Sequence, residues 1–363
     1  MTHTLASWFH TLDPNVFRIS GDLSVKWYGL SYVAGFLLAW LLLHVLATRR
    51  LVAIPVHRVP DAMTWLFFGV VAGGRLLYVL VYDRSLLTSF TSTPPWWGLL
   101  AVHKGGMASH GAMIGCVLAA WRISRGWPDG PDGTRVGRCS TLHVMDFLAL
   151  ASPLGLLLGR LANFINGELL GKVVAPAGQK GPWWSVQFPQ ELLGWTGPGT
   201  KEVLSHTPDL SPAQLAALNQ LVTSQIKPGE SWQQALRYVV SRAEQYRPQL
   251  EPLVSARHPS QLYQALAEGL VLGLVVWTLW ARPRKAGLIA AAWLIVYGVL
   301  RVITELWRLP DAQFGSQGKL LLDLSRGQWL SVGMVAVGVA LLVWSAKRPG
   351  QPIGGWATPK NDR

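Results

Sequence analysis

Apolar runs close to the length of a membrane-spanning helix are the feature that most limits the fold of this chain. The first run, residues 28–48, contains no acidic residue, lysine or arginine. A helix needs about 20 such residues to cross a hydrocarbon core of roughly 30 Å. A helix buried in a soluble protein can also be apolar all round. Several such runs in one chain of 363 residues nevertheless indicate a polytopic membrane protein.

We predict an all-α fold with seven membrane-spanning helices. Their expected positions are residues 28–48, 64–82, 105–122, 143–160, 262–281, 286–306 and 328–345. Arginine and lysine are concentrated in alternate connections, after the first, third, fifth and seventh spans. The positive-inside rule assigns these connections to the cytoplasm. The N-terminus is therefore predicted to be periplasmic and the C-terminus cytoplasmic.

This topology divides the chain into four segments. They are the first part of the membrane domain (1–165), a periplasmic head (166–257), the second part of the membrane domain (258–345) and a cytoplasmic tail (346–363). The head is inserted between helices four and five. The first 26 residues lack the pattern of a cleaved signal peptide, so we expect them to be retained.

Charge and cysteine usage exclude several classes of function. The formal net charge of +13 would suggest a nucleic-acid partner in a soluble protein. Here the predicted cytoplasmic loops account for most of the excess, so no nucleic acid is expected. Cys116 and Cys139 fall in a predicted span and a cytoplasmic loop, without the spacing of metal ligands. Neither cysteine is therefore expected to bind a metal, and any thiol chemistry must use a cysteine that a substrate supplies.

The predicted head combines loops and short helices. Its start, around Gly181–Trp184, is rich in Gly, Pro and Trp, which favours loops and contact with the membrane surface. Further on, Ser211 followed by Pro212 is typical of a helix start, and Ser231 could cap a second helix. The residues expected to form a small core are Leu215, Leu218 and Val222 in the first helix and Trp232, Leu236, Val239 and Ala243 in the second.

Ionisable side chains occur inside the predicted spans. Each costs about 2.5–3.5 kcal/mol at the centre of a bilayer, so it needs a partner or a function. They include Arg75, His110, Arg160, Glu268, Arg301 and Glu305. For Arg75 and Glu268, snorkelling or a structural ion pair is an equal alternative to a functional role.

Arg301 and Glu305 are four residues apart, so they share a helix face and could pair. Arg308 continues that face by one turn. Such a row would hold an arginine rigidly at the periplasmic end of the membrane. A planar guanidinium can donate two hydrogen bonds to a phosphate, so phosphate is the ligand that this arrangement suits.

His110 is flanked by small residues in the segment Gly105–Gly111. A lone histidine in a helix is more often a packed core residue than a catalyst. The glycines leave room for a bulky substrate beside the imidazole, which gives a functional role equal weight. No carboxylate accompanies His110 in the pattern of a metal site.

The densest polar segment is Gly159-Arg160-Leu161-Ala162-Asn163-Phe164-Ile165-Asn166-Gly167-Glu168-Leu169-Leu170-Gly171. Arg160 and Asn163 would be neighbours on one face if the helix continues through them. Gly167 and Gly171 would let the chain leave the helix and approach a ligand closely. We interpret this segment as part of a binding site and not as an ordinary helix end.

This segment resembles the signature of the prolipoprotein diacylglyceryl transferase family. Other landmarks of that family follow in order: Trp27-Tyr28-Gly29, Gly73-Gly74-Arg75, Ser109-His110-Gly111, His258-Pro259-Ser260-Gln261-Leu262-Tyr263, and residues 301–314. The resemblance runs from about residue 27 to residue 331. Two departures stand out. Ala162 replaces a usual glycine, and roughly 50 residues at about 196–250 look inserted into the head, which leaves peptide recognition open.

The resemblance implies seven transmembrane helices with a periplasmic head, and neither a metal nor a redox cofactor. It also implies phosphatidylglycerol as the donor lipid, the lipobox cysteine of a prolipoprotein signal peptide as the acceptor, and release of sn-glycerol 1-phosphate. The matching positions imply functional roles for Tyr28, His110, Arg160, Asn163, Glu168, Gly171, Arg301 and Glu305.

Each candidate residue then receives an expected role. Histidine is the residue type that most often acts as a base at neutral pH, so His110 is expected to deprotonate the substrate thiol. Arg160 and Arg301 would hold the lipid phosphate, and Glu305 would orient Arg301. The expected substrate-binding residues are Tyr28, Asn163, Asn166, Glu168, Gly171, Arg75 and Arg308; of these, Asn166 and Glu168 could equally stabilise the turn into the head.

Three other classes of membrane protein compete with this interpretation. A transporter of an anionic solute would also place arginines within the membrane, but the odd number of spans and the lack of an internal repeat count against it. A phosphotransferase acting on lipid headgroups would need aspartates for a divalent metal, and the spans lack such a cluster. A structural scaffold would carry far fewer charges in its spans.

Overall fold

The computed structural model describes residues 7–20, 23–92, 94–102, 105–129, 133–194, 209–309 and 325–356. The protein is mostly helical within these residues. Six helical segments there are long and apolar enough to cross a membrane: Trp27–Thr48, Val56–Val81, Thr141–Asn166, Ser260–Trp280, Leu288–Trp307 and Gly327–Lys347. These segments confirm a polytopic membrane protein.

The α-helices of the described residues are α1 (Trp27–Thr48), α2 (Val59–Val81), α3 (Ser109–Ser124), α4 (Thr141–Asn166), α5 (Pro212–Thr223), α6 (Trp232–Ser241), α7 (Arg247–Leu250), α8 (Ser260–Gln264), α9 (Leu272–Trp280), α10 (Leu288–Thr304) and α11 (Arg326–Lys347). A π-helical turn, Ala265–Val271, joins α8 to α9. The short strands are β1 (Trp8–Phe9), β2 (Asn15–Ser20), β3 (Leu23–Lys26), β4 (Trp127–Pro128), β5 (Arg135–Val136), β6 (Val173–Ala175), β7 (Val186–Gln187) and β8 (Ala256–Arg257).

The third predicted span is shorter than expected. Gly105 and Gly106 have φ angles of 86° and 78°, which are not helical, and α3 begins only at Ser109. With 16 residues, α3 is about 24 Å long at 1.5 Å per residue. That length is less than a full hydrocarbon core, so the helix exists but its crossing of the membrane is not confirmed.

The fourth predicted span is longer than expected. The apolar run was predicted to end at residue 160, but α4 continues to Asn166. Arg160 and Asn163 therefore both lie on a regular helix, as their spacing required. A helix can continue through polar side chains when groups elsewhere in the fold pair with them. Arg160 pairs in this way with Glu268.

The chain forms two compact units. The first comprises residues 1–35, 153–273 and 295–336, and the second comprises residues 36–152, 274–294 and 337–363. Each unit therefore contains parts of the membrane domain. The first also contains the whole predicted head.

In the second unit, α2 and α3 pack through glycines. A Cβ atom added to Gly73 would collide with the carbonyl oxygen of Gly111, and one added to Gly69 would lie 2.5 Å from that of Gly115. Small residues four positions apart allow two helix backbones to approach closely within a membrane. Gly111 therefore packs against α2, so it does not leave space for a substrate beside His110 as the sequence suggested.

The head in the first unit contains a small sheet that the sequence did not predict. Its strand order is β1-β7-β8-β6, with β1 parallel to β7 and the other neighbours antiparallel. The all-α expectation is wrong in this respect, whereas the loop expected at residues 181–184 is confirmed, because these residues lie between β6 and β7. Strands of two or three residues are too short to produce a repeating hydrophobic pattern.

The two predicted head helices are confirmed as α5 and α6. Ser211 accepts a hydrogen bond from the Gln214 backbone, and Ser231 does the same for Gln234; each pair forms a complete capping box. The helices contribute to one buried core of the head, which includes Leu218, Val222, Leu236, Val239 and Ala243, with Trp232 packed against it. Residues 195–208, the start of the expected insertion, lie outside the described residues.

Candidate functional site

Arg160 and Glu268 form the central ion pair of the first unit. Arg160 Nε and Nη2 lie 3.1 and 2.9 Å from Glu268 Oε2. The Glu268 side chain is fully buried, whereas the Arg160 side chain keeps 15% of its surface exposed. Arg160 also donates to the hydroxyl of Tyr297 on α10. Because a buried carboxylate without a partner would be very costly, Glu268 depends on this arginine.

Arg301 joins this pair to a second one. Its Nη2 atom lies 3.1 Å from Glu305 Oε2, as the spacing on the helix predicted. Its Nη1 atom lies 3.8 Å from Glu268 Oε1. That distance permits electrostatic attraction but is too long for a hydrogen bond. Arg308 completes the row, with Nη1 3.5 Å from Glu305 Oε2.

We call these five residues the arginine cluster: Arg160, Glu268, Arg301, Glu305 and Arg308. It contains three guanidinium groups and two carboxylates, and each carboxylate contacts two of the arginines. The Arg301 Nη1 atom is buried and has no hydrogen-bond partner among the described residues. Partly exposed guanidinium groups with an unused donor suit a bound anion, and a phosphate suits them best.

The signature segment leaves α4 beside the cluster. Gly167 has a φ of 64°, a left-handed conformation that favours glycine, so the helix ends there as predicted. The backbone N–H of Glu168 donates to the carbonyl of Asn163 at 3.1 Å. The Asn166 side chain donates to the Glu168 carboxylate at 2.9 Å. Asn166 and Glu168 therefore stabilise this turn, which was the alternative role considered for them.

Gly171 is held by backbone contacts. A Cβ atom at this position would collide with the carbonyl oxygen of His258, and the backbone pairs with that of Arg308. The close approach predicted for this glycine is thus made by another part of the chain. Gly171 positions Arg308, and a direct contact with substrate stays a prediction.

Two other candidate residues of the first unit lie near the cluster. Asn163 is buried on α4, one turn after Arg160. Tyr28, at the start of α1, lies within electrostatic range of Arg160 and Glu168. Its hydroxyl is 2.9 Å from that of Tyr32, and 37% of its surface is exposed. These positions are compatible with contacts to a ligand at the cluster.

Arg75 and His110 belong to the second unit. The Arg75 guanidinium donates to the backbone carbonyls of Gly98, Leu99, Gly105 and Gly106 at 2.6–2.9 Å. These bonds fix the chain before α3, which supports the structural alternative for Arg75. His110 lies exposed in the first turn of α3. Its role as a base stays a prediction.

Sequence reasoning underestimated two residues of this site. Glu268 was given equal weight as a structural charge, but it contacts both Arg160 and Arg301. Tyr297 was not selected, since a tyrosine in an apolar run is common. A useful signal for Glu268 was that it is the only acidic residue in the predicted span 262–281. Among the described residues, no group of three His, Cys, Asp or Glu side chains could hold a metal ion.

The helices and the arginine cluster together define a class: a polytopic membrane protein with a positively charged site at the ends of its spanning segments. Comparison with known proteins gives the family. A family model described as prolipoprotein diacylglyceryl transferase matches residues 14–344. The chain belongs to the prolipoprotein diacylglyceryl transferase family.

Its relatives share this name and most of their length. A phosphatidylglycerol--prolipoprotein diacylglyceryl transferase of Bdellovibrio bacteriovorus is 37% identical, over 96% of each chain. The protein of that name from Neisseria gonorrhoeae is 36% identical, over 91% of this chain and 94% of its own. That of Xanthomonas axonopodis pv. citri is 34% identical, over 94% of each chain.

Proposed function

We propose that this protein transfers the sn-1,2-diacylglyceryl group of phosphatidylglycerol to the thiol of the lipobox cysteine of prolipoproteins, releasing sn-glycerol 1-phosphate. The reaction is the first step of lipoprotein lipidation. Family membership supports it. The observation that carries it is the arginine cluster, in which Arg160 and Arg301 are partly exposed and the Nη1 atom of Arg301 has no hydrogen-bond partner among the described residues, so that both can hold the phosphate of the donor lipid.

The reaction exchanges one bond for another at a glycerol carbon of the lipid. The cysteine sulfur attacks the carbon that carries the phosphate ester, so a C–S bond forms as the C–O bond breaks. The ester oxygen leaves with its electron pair as part of sn-glycerol 1-phosphate. Since a free thiol has a pKa near about 8.5, a base or a positive field must raise the fraction of thiolate.

Each residue of the site has its own role in this reaction. Arg160 and Arg301 hold the phosphate and offset the charge that develops on the leaving group, while Glu268 and Glu305 orient them. Arg308 extends the positive surface. His110 takes the proton of the thiol. Asn163 and Tyr28 hydrogen-bond the headgroup, while Asn166, Glu168 and Gly171 shape the turn around it.

The membrane arrangement is part of the proposal. Six apolar segments cross the bacterial inner membrane, and the shorter α3 is the seventh crossing. The N-terminus and the head are periplasmic and the C-terminus is cytoplasmic. This orientation places the end of α4 that carries the signature on the periplasmic side. The basic connections on the opposite side support it.

A mass measurement tests the function. The purified protein in detergent is incubated with phosphatidylglycerol and a lipobox peptide, and the peptide is weighed by mass spectrometry. A peptide with serine in place of the lipobox cysteine is the control. We expect a gain of one diacylglyceryl mass on the cysteine peptide alone. No gain from folded protein, over several acyl-chain lengths, would contradict the proposal and favour transport of an anionic solute.

A further inference from the structure

One buried side chain of α2 holds the connection between α2 and α3. Arg75 has only 5% of its surface exposed. Its guanidinium donates to the carbonyls of Gly98 and Leu99 at 2.6 and 2.8 Å, and to those of Gly105 and Gly106 at 2.6 and 2.9 Å. All four acceptors are backbone atoms of this connection. The rigid, planar guanidinium therefore fixes the course of the chain just before α3 begins.

The last residues before α3 fit closely around this guanidinium. A Cβ atom added to Gly106 would lie 2.7 Å from Arg75 Nη1 and 2.6 Å from Tyr78 Cε1. Two residues further on, the backbone N–H of Ala108 donates to the carbonyl of Gly74 at 2.9 Å. The next residue is the first of α3. Neighbouring residues of α2 thus set the position at which α3 starts.

His110 follows directly after these contacts. It is exposed and lies in the first turn of α3. The first turn of a helix takes its position from the chain that enters it, so a shift of the connection also shifts the imidazole. A base must lie within hydrogen-bond reach of the proton that it removes. A misplacement of about 1 Å can lower the rate of a reaction by about 10²-fold.

We propose that Arg75 is a positioning residue for His110: it holds the chain before α3 so that the imidazole can reach the thiol of the substrate. The inference rests on the proposed function, because it assumes that His110 removes the thiol proton. That proton passes from the sulfur to a ring nitrogen of His110, and Arg75 takes no part in the transfer. Arg75 should therefore affect the rate of the reaction and not the binding of either substrate.

The first test weakens the contacts of the guanidinium. Arg75→Lys keeps the positive charge, but an ammonium group lacks the planar fork that reaches four carbonyls. We expect kcat to fall by about tenfold to 10²-fold, the effect of a misplaced reacting group. The KM for phosphatidylglycerol and that for the lipobox peptide should stay unchanged. The control is Arg84→Lys, an exposed arginine of the same unit that donates to the Leu80 carbonyl at 2.8 Å, and it should change none of these values.

The second test displaces the guanidinium without replacing it. In Gly106→Ala the added methyl group would collide with Arg75 and Tyr78, so kcat should fall as it does in Arg75→Lys. Gly105→Ala is the matched control. Its φ of 86° is close to the 78° of Gly106, but nothing lies within 4 Å of its added Cβ. Both variants strain the backbone and only one displaces Arg75, so Gly105→Ala should lower kcat far less. Equal losses in the two variants would overturn the inference.

A double variant decides whether Arg75 acts through His110. Residues that act as a unit have non-additive effects, so Arg75→Lys should lower kcat by less than about twofold in a His110→Gln background. If Arg75→Lys does not fold, Gly106→Ala in that background makes the same comparison. The inference is overturned by additive effects, by an unchanged kcat or a raised KM in Arg75→Lys, or by full turnover of His110→Gln. Absence of transfer by the native protein to any lipobox peptide would instead contradict the proposed function.

Discussion

Two ion-pair sites in the same unit differ in how far their arginine side chains are exposed. In the head, the carboxylate of Glu191 pairs with Arg257 and also accepts a hydrogen bond from the Ser255 backbone. Both side chains are fully buried, and Arg257 additionally donates to the carbonyl of Gly171 at 3.1 Å. In the arginine cluster, three arginines share two carboxylates and Arg160 and Arg301 remain partly exposed.

The difference separates a structural ion pair from a binding site. A closed pair of one acid and one base has no charge left for a ligand, so its contribution is to the architecture of the head. In the cluster, Arg160 and Arg301 are partly exposed, and within the described part of the chain the buried Nη1 atom of Arg301 has no hydrogen-bond partner. Exposure together with an unused donor therefore indicates which arginines serve a substrate.

The largest expected effect is at Arg301. Arg301→Lys keeps the positive charge but cannot donate bidentate hydrogen bonds to a phosphate. We expect turnover to fall by about 10²–10³-fold, the usual loss when one donor to a developing anion is removed. Steady-state transfer to a lipobox peptide is the measurement. Arg247→Lys is the control, because Arg247 pairs with Glu251 on the exposed surface of the head. If Arg301→Lys keeps full turnover, Arg301 does not bind the phosphate through bidentate hydrogen bonds.

Substitution in the head pair, Glu191–Arg257, should lower stability and not turnover, the opposite of the effect at Arg301. Glu191→Gln leaves the buried Arg257 without its counter-charge, which typically costs about 3–5 kcal/mol of stability. Hydrogen exchange of the head should report this loss, while turnover per folded molecule changes little. Glu251→Gln is the matched control at an exposed pair, where the expected loss is about 0–1 kcal/mol. An equally small loss for both variants would show that the head pair is not structural.

The variant His110→Gln tests whether the positive field of the arginines alone is sufficient to activate the thiol. If His110 is the base, turnover at neutral pH should fall by about 10²-fold, at the lower end of the range for general-base catalysis. Raising the pH toward the pKa of the thiol should then restore part of the activity. Retention of full turnover would mean that the positive field of the arginines produces the thiolate and that the base assignment is wrong.

Gly171 links the two sites, because its carbonyl accepts from Arg257 and its backbone pairs with Arg308. Gly171→Ala would push a methyl group against the His258 carbonyl. We expect a stability loss of about 1–3 kcal/mol and a smaller loss of activity than at Arg301. Gly159→Ala is the control, since nothing lies near its added Cβ and alanine favours a helix by about 1 kcal/mol. Equal stability of the two variants would contradict this linking role.

Local patterns in the sequence predicted local structure well. The pairing of Arg301 with Glu305 follows from their spacing on one helix, and the caps at Ser211 and Ser231 follow from residue type and position. The pairing of Arg160 with Glu268 joins residues 108 positions apart, so no periodicity within one segment could indicate it.

Glycine packing and strand pairing depend on which distant part of the chain lies against a residue, and a local pattern does not indicate this. The glycines beside His110 suggested room for a substrate, yet Gly111 packs against α2. The head strands have too few residues to alternate visibly, and two of them pair across about 70 positions, at Val186 and Arg257. Family signatures indicate which residues meet at a site. They do not indicate which of them hold one another and which face a ligand.

The central claim is that the partly exposed guanidinium groups of Arg160 and Arg301 hold a lipid phosphate. The most direct measurement is competitive lipid retention by native mass spectrometry without peptide, with phosphatidylglycerol against diacylglycerol, which lacks the phosphate. We predict that the native protein and Arg247→Lys retain phosphatidylglycerol preferentially, and that Arg301→Lys loses most of this preference. Equal retention of both lipids by the native protein, or an unchanged preference in Arg301→Lys, would contradict the claim.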